Sequence, residues 1–126
     1  MSKSFALMLM VFCHIVDDYY LQAIGPLASM KQKKWWEENY PQKLYRFDYL
    51  VALTMHSLSW AFMVMLPIAV YYKCEVSTTF AVVFTMNAVV HSVVDNLKAN
   101  MLVINLVTDQ FIHVLQLIVS FVILIR

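Results

Sequence analysis

Apolar residues run along this chain in long blocks separated by short polar breaks. Four blocks reach the roughly 20 residues that a helix needs to cross bilayer hydrocarbon. They are Ser4 to Ile24, Asp48 to Tyr72, Ser77 to Leu97 and Met101 to Ile125. The runs are too long for membrane strands and lack a two-residue alternation, so helices are predicted. Two connections are short, around Lys73-Cys74-Glu75 and Lys98-Ala99-Asn100, as between antiparallel neighbours in a bundle. The third, residues 25–47, is polar and rich in Lys, Trp and Tyr. The expectation is an all-α, polytopic membrane protein: one domain over residues 1–126, built as a four-transmembrane-helix bundle.

Polar residues interrupt these blocks at regular places. Each block carries one of the four His: His14, His56, His91 and His113. Three have an Asp four residues away: Asp18 after His14, Asp95 after His91, and Asp109 before His113. Residues four apart share a helix face, so each pair presents imidazole and carboxylate together. The stripes extend through Gln22 on the first block, Asn87 and Lys98 on the third, and Asn105 and Gln116 on the fourth. Because adjacent helices run oppositely, all these groups fall in the same half of the membrane. At 1.5 Å per residue they lie roughly 10–15 Å below one surface. An Asp at the centre of a span costs about 2.5–3.5 kcal/mol on the insertion scale, and packing alone returns nothing for it. A hydrogen-bonded network gluing helices together would explain one such His. For the whole set at matched depth, a shared intramembrane site is the stronger reading.

Composition agrees. Hydrophobic residues make up 62% of the 126 and charged residues 13%, against roughly 25% charged in an average soluble domain. A soluble chain of this length has too little interior for so much apolar surface. The net charge of +1 speaks against a nucleic-acid partner, which calls for a dense basic face. Cys13 and Cys74 suggest no disulfide framework. A cleaved signal peptide at the N-terminus is disfavoured by Pro26 and by His14, Asp17 and Asp18 within the apolar run.

Orientation follows from Lys and Arg in the connections. Lys31, Lys33, Lys34, Lys43, Arg46 and Lys98 lie on one side, and Lys3, Lys73 and Arg126 on the other. The chain is therefore expected in a bacterial inner membrane with both termini outside and residues 25–47 in the cytoplasm. Within that connection, Lys31 to Lys43 is expected as a short amphipathic helix on the membrane surface, with Trp35, Trp36, Tyr40 and Tyr45 as an interfacial aromatic belt.

Imidazole nitrogen and carboxylate oxygen are ligands for zinc, manganese or iron. The expected metal ligands are His14, Asp18, His91, Asp95, Asp109 and His113, holding one divalent metal ion or two. His56 is a further ligand or a general base. Lys98 is either a helix-end lysine reaching for water or a cation for a phosphate group. Asp17, about 100° round the helix from Asp18, is read as facing another helix or water rather than as a ligand. Ser57 and Ser59 are read as packing residues, not nucleophiles.

These residues resemble a known family. His14-Ile-Val-Asp-Asp18-Tyr-Tyr-Leu21-Gln22 is similar to the H-x-x-x-D-(F/Y)-x-L-Q signature of a family of unknown function, small integral membrane proteins from bacteria and their phages. Met55-His56-Ser57, His91-Ser-Val-Val-Asp95-Asn-Leu-Lys98 and Asp109-Gln110-Phe-Ile-His113 resemble its other motifs, in the same order. Lys31 resembles the lysine that follows the first signature. The resemblance implies membrane location and a shared polar site, with no established activity. The leading functional expectation is a metal-dependent hydrolase acting at the cytoplasmic leaflet on a lipid or phosphate-containing substrate, with Lys98 and Lys31 holding the anionic group. A proton or metal-ion transporter and a non-enzymatic phage or bacterial membrane effector are the alternatives. A homo-oligomer is compatible with all three.

Overall fold

The computed structural model describes residues 1–24 and 26–125. Gly25, where the polar connection begins, and Arg126, one of the charges used for orientation, lie outside the described residues.

The chain is all-helical, and four helical segments are long and apolar enough to cross a membrane. The first comprises α1 (Lys3–Ile15) continued by a π-helical turn (Val16–Leu21). Two short helices follow in the polar connection, α2 (Leu27–Met30) and α3 (Lys33–Asn39), then a 3-10 turn (Lys43–Tyr45). The remaining spans are α4 (Asp48–Tyr71), α5 (Thr78–Ala99) and α6 (Leu106–Leu124). Side-chain caps set three of the starts. Ser2 accepts from Phe5 N, Ser77 from Phe80 N and Asn105 from Thr108 N, satisfying backbone donors that a helix start leaves free. The Asn105 cap corrects the expected start of the last span. That helix begins at Leu106, not Met101, because Leu102 takes a left-handed backbone (φ 56°) and breaks the run.

α4 is the central column and packs against both α1 and α5, while α6 closes against α5 and α1. The bundle has two layers. In one half, Ala6, Met10, Trp60, Ala61, Val64, Ile68 and Leu117 form a dry apolar core. In the other half, nearer the 26–46 connection, the buried residues are His14, Asp17, Lys31, His56, His91, Asp95, Asp109 and His113. Outward positions such as Phe12, Val51, Met55, Phe62, Val89 and Phe111 are exposed and apolar. A water-soluble protein would reverse that outer surface, whereas hydrocarbon accepts it.

The polar connection is a cap over this second layer. The Asn100 amide donates to Lys31 O (3.0 Å) while its Oδ1 accepts from Lys33 N (2.6 Å), so the end of α5 grips the chain from both sides. The Trp36 indole donates to Met30 O (2.7 Å). Trp35, Trp36, Tyr40 and Tyr45 pack on one another with centroids 5.1–6.3 Å apart. They form one cluster, with Trp36 buried, and not a strung-out belt. The surface helix expected over Lys31 to Lys43 is shorter, and Lys31 points inward, 3% exposed.

Candidate metal centre

Four helical segments each deliver groups to one point. The π-helical turn brings Asp17 and Asp18, α4 brings His56, α5 brings His91 and Asp95, and α6 brings Asp109 and His113. His56 Nε2 lies 3.1 Å from His91 Nε2, 3.5 Å from Asp18 Oδ1 and 3.4 Å from Asp95 Oδ2. His91 Nε2 is 3.9 Å from Asp18 Oδ1 and 3.8 Å from Asp95 Oδ1. His113 Nε2 is 3.4 Å from both Asp95 Oδ1 and Asp109 Oδ1. Two triads emerge, Asp18–His56–His91 and His91–Asp95–His113, each with ligand atoms within 4.8 Å of one another.

These spacings fit a metal. Around an ion with bonds near 2.1 Å, tetrahedral donors stand about 3.4 Å apart. Imidazole nitrogens and carboxylate oxygens at 3.1–3.9 Å are close to that edge. Both triads share His91. Charge points the same way. Asp17, Asp18, Asp95 and Asp109 are all inside, and two ammonium groups answer them: Lys31 Nζ at 2.5 Å from Asp95 Oδ2 and Lys98 Nζ at 2.6 Å from Asp109 Oδ2. With neutral imidazoles, two negative charges remain, which is the charge of one divalent cation. The lysines serve Asp95 and Asp109, so the uncompensated pair is Asp17 and Asp18, on the side of the first triad. Among the described residues, four buried side-chain atoms have no hydrogen-bond partner: Asp17 Oδ2, His91 Nδ1, Asp109 Oδ1 and His113 Nε2. All four belong to this cluster, although buried polar atoms are ordinarily satisfied. The buried His and Asp groups could hold a metal ion.

The surrounding residues hold the donors in place. The Ser59 hydroxyl donates to Asp17 Oδ1 (2.6 Å), and Asp17 Oδ2 stands 3.6 Å behind His56 Nδ1. A carboxylate behind a histidine favours the tautomer that turns Nε2 towards an ion. The Gln110 amide donates to both Asp18 Oδ2 and Asp109 Oδ2 at 3.0 Å, tying the first span to α6. The Gln116 amide donates to Asn87 O, which leaves Gln116 Oε1 to accept from His113 Nδ1 (3.2 Å). That tautomer points the His113 Nε2 lone pair at the two carboxylates. The Trp60 indole N–H donates to His14 Nδ1 (2.9 Å), and the ring stacks on His91 at 4.3 Å. Trp60 thus floors the cluster and separates it from the apolar half.

The predicted residues therefore converge, with differences in role. His14 is buried beside Asp18, but its Nδ1 lone pair is taken by Trp60, and it joins neither triad. Lys98 is paired with Asp109, and its side chain stays part-exposed at the end of α5. Asp17 faces another helix, one of the two expected environments: it meets Ser59 and His56 of α4 from within a π turn closed by the Gln22 N to Asp17 O bond (3.1 Å). Ser57 bonds its own helix at Leu53 O, as expected, whereas Ser59 belongs to the site. Trp60 and Ser59 lie four and three residues after His56, so helical spacing from His56 was the available signal.

Trp60→Phe keeps the ring but removes the donor to His14. It should lower stability by about 1–3 kcal/mol, from one buried unpaired acceptor and a smaller ring. Thermal unfolding in detergent measures this, with Trp35→Phe in the cap, away from the cluster, expected to change it little. No protein-family profile matches the chain, and no curated protein or solved structure matches it either.

Proposed function

We propose that this protein is a membrane-embedded, metal-dependent hydrolase that acts at the cytoplasmic leaflet on a phosphate-bearing or lipid substrate. The observation that carries the reading is a buried set of His and Asp donors at metal-edge spacing, in which Asp17 and Asp18 have no ammonium partner. Asp18 Oδ1, His56 Nε2 and His91 Nε2 would hold one divalent ion, zinc, manganese or iron. Three protein donors leave a coordination position for water or substrate, the pattern of hydrolytic sites rather than closed structural ones. A metal in such a site lowers the pKa of bound water and polarises an attacked phosphoryl or carbonyl group.

The remaining residues supply position and charge. Asp17 and Ser59 orient His56, and Gln110 orients Asp18. Asp95 and His113 complete the wall opposite Asp18. Lys98, with its side chain 29% exposed at the end of α5, is the ammonium group nearest the outside and would meet an anionic substrate first. Lys31 lies deeper, under the cap.

Transport is the less favoured reading. A conduction path needs polar groups through both halves, and the half beyond Trp60 is packed with Ala61, Val64, Ile68, Met10 and Leu117.

The full chain purified in detergent should retain one divalent ion per molecule and release phosphate from a phosphate monoester lipid in mixed micelles. A chelator should stop the release and added metal restore it. His56→Ala should remove ion and activity together, whereas Asp17→Asn should weaken metal affinity about 10–100-fold, as loss of a group behind a ligand does. Protein that binds no stoichiometric metal would refute the reading. Orientation has its own test. In a Cys13→Ser background, exposed Cys74 should react with a membrane-impermeant maleimide from outside intact cells; labelling only after permeabilisation would reverse the topology.

A further inference from the structure

The cap carries a cavity that the metal reading does not use. Its volume is about 280 Å³, and no residue of the His and Asp triads lines it. Trp36, Tyr40 and Tyr45 form its aromatic wall, with ring centroids 5.3–6.3 Å apart. Lys33, Glu37, Lys43 and Arg46 supply its charge. Lys33 Nζ lies 3.6 Å from Glu37 Oε1, so those two cancel. Among the described residues Lys43 and Arg46 join no ion pair, which leaves the cavity two positive charges. The Arg46 guanidinium rests 5.2 Å over the Phe47 ring, a contact that holds the cation without occupying its N–H donors. A guanidinium beside an ammonium suits phosphate oxygens, which Arg meets with two parallel hydrogen bonds.

The surroundings say which phosphate. Leu44, between the two cations, is 80% exposed, and Phe47, just after them, is 60% exposed. Both stand immediately before the transmembrane run of α4. Apolar side chains alternating with cations at the start of a span fit the bilayer interface, where Trp and Tyr also collect. The cavity is just under the roughly 300–1,000 Å³ of pockets that enclose a whole small ligand. A headgroup fits, and its acyl chains stay outside with Leu44 and Phe47. We propose that this cavity binds the phosphate headgroup of an anionic phospholipid, held by Lys43 and Arg46 against Trp36, Tyr40 and Tyr45.

The consequence reaches the polar layer. The Trp36 indole donates to Met30 O, beside Lys31. A headgroup packed on Trp36 therefore braces the segment that carries Lys31 to Asp95, and a ligand of the folded chain alone raises its stability. The inference does not depend on a metal ion in the centre below.

The full chain in detergent, titrated with phosphatidylglycerol, should retain one lipid per molecule by native mass spectrometry. It should hold that lipid at least tenfold more tightly than phosphatidylcholine, and its unfolding temperature should rise as the lipid is added. Lys43→Gln with Arg46→Gln should lose both the preference and the rise. Lys3→Gln with Lys34→Gln removes the same charge outside the cavity and should keep both. Equal losses in the two pairs would overturn the proposal, since net charge alone would then explain the binding. So would a wild type that does not distinguish the two lipids, or inorganic phosphate that binds as tightly as the lipid. Should the first pair fail to fold, exposed Lys43→Gln alone decides: lipid affinity should fall at least threefold, and unchanged affinity overturns the proposal.

Discussion

Charge neutrality inside hydrocarbon is the constraint on which this structure turns. Four carboxylates sit between helices where water does not screen them, and an isolated ion there is strongly disfavoured. Each must find opposite charge or a proton. Two find lysines, Lys31 for Asp95 and Lys98 for Asp109. Asp17 and Asp18 find only neutral donors and imidazoles: Ser59, Gln110, His14, His56 and His91. The cluster could hold a cation, and it ties four helical segments together at one depth.

The same constraint accounts for the irregular parts of the chain. A π-helical turn interrupts the first span at the two adjacent Asp that meet His56. The cap folds over the polar layer because it carries Lys31, and Asn100 fixes the segment by its backbone. Below Trp60 no such demand exists, and the helices pack through ordinary apolar contacts. The molecule is thus divided across its thickness, with buried polar groups in one half and an apolar core in the other.

Much of this was legible in the sequence. Long apolar runs located the spans, and the four-residue spacing of His91 with Asp95, and of Asp109 with His113, located their inward faces. Antiparallel order then placed His56 and Asp18 at the same depth. What local pattern could not convey was backbone departure from the regular helix. The 100° offset set Asp17 towards another helix, and that helix is α4, whose His56 belongs to the site. Apolarity alone extended the last span to Met101, where the Asn105 cap and the left-handed Leu102 end it. Lys31 looked like a surface lysine because its partner, Asp95, lies 64 residues away. Trp60 gave no sign of its role, because its hydrogen bond to His14 spans two helices.

The central claim is that imidazoles and a carboxylate from three spans bind one ion within the membrane. X-ray absorption on the zinc-loaded full chain in detergent tests it most directly. The account predicts nitrogen and oxygen donors at about 2.0–2.1 Å with outer-shell scattering from two imidazoles, diminished or lost with the ion in His91→Ala. An ion surrounded by oxygen alone, with no imidazole signal and no response to that substitution, would contradict it.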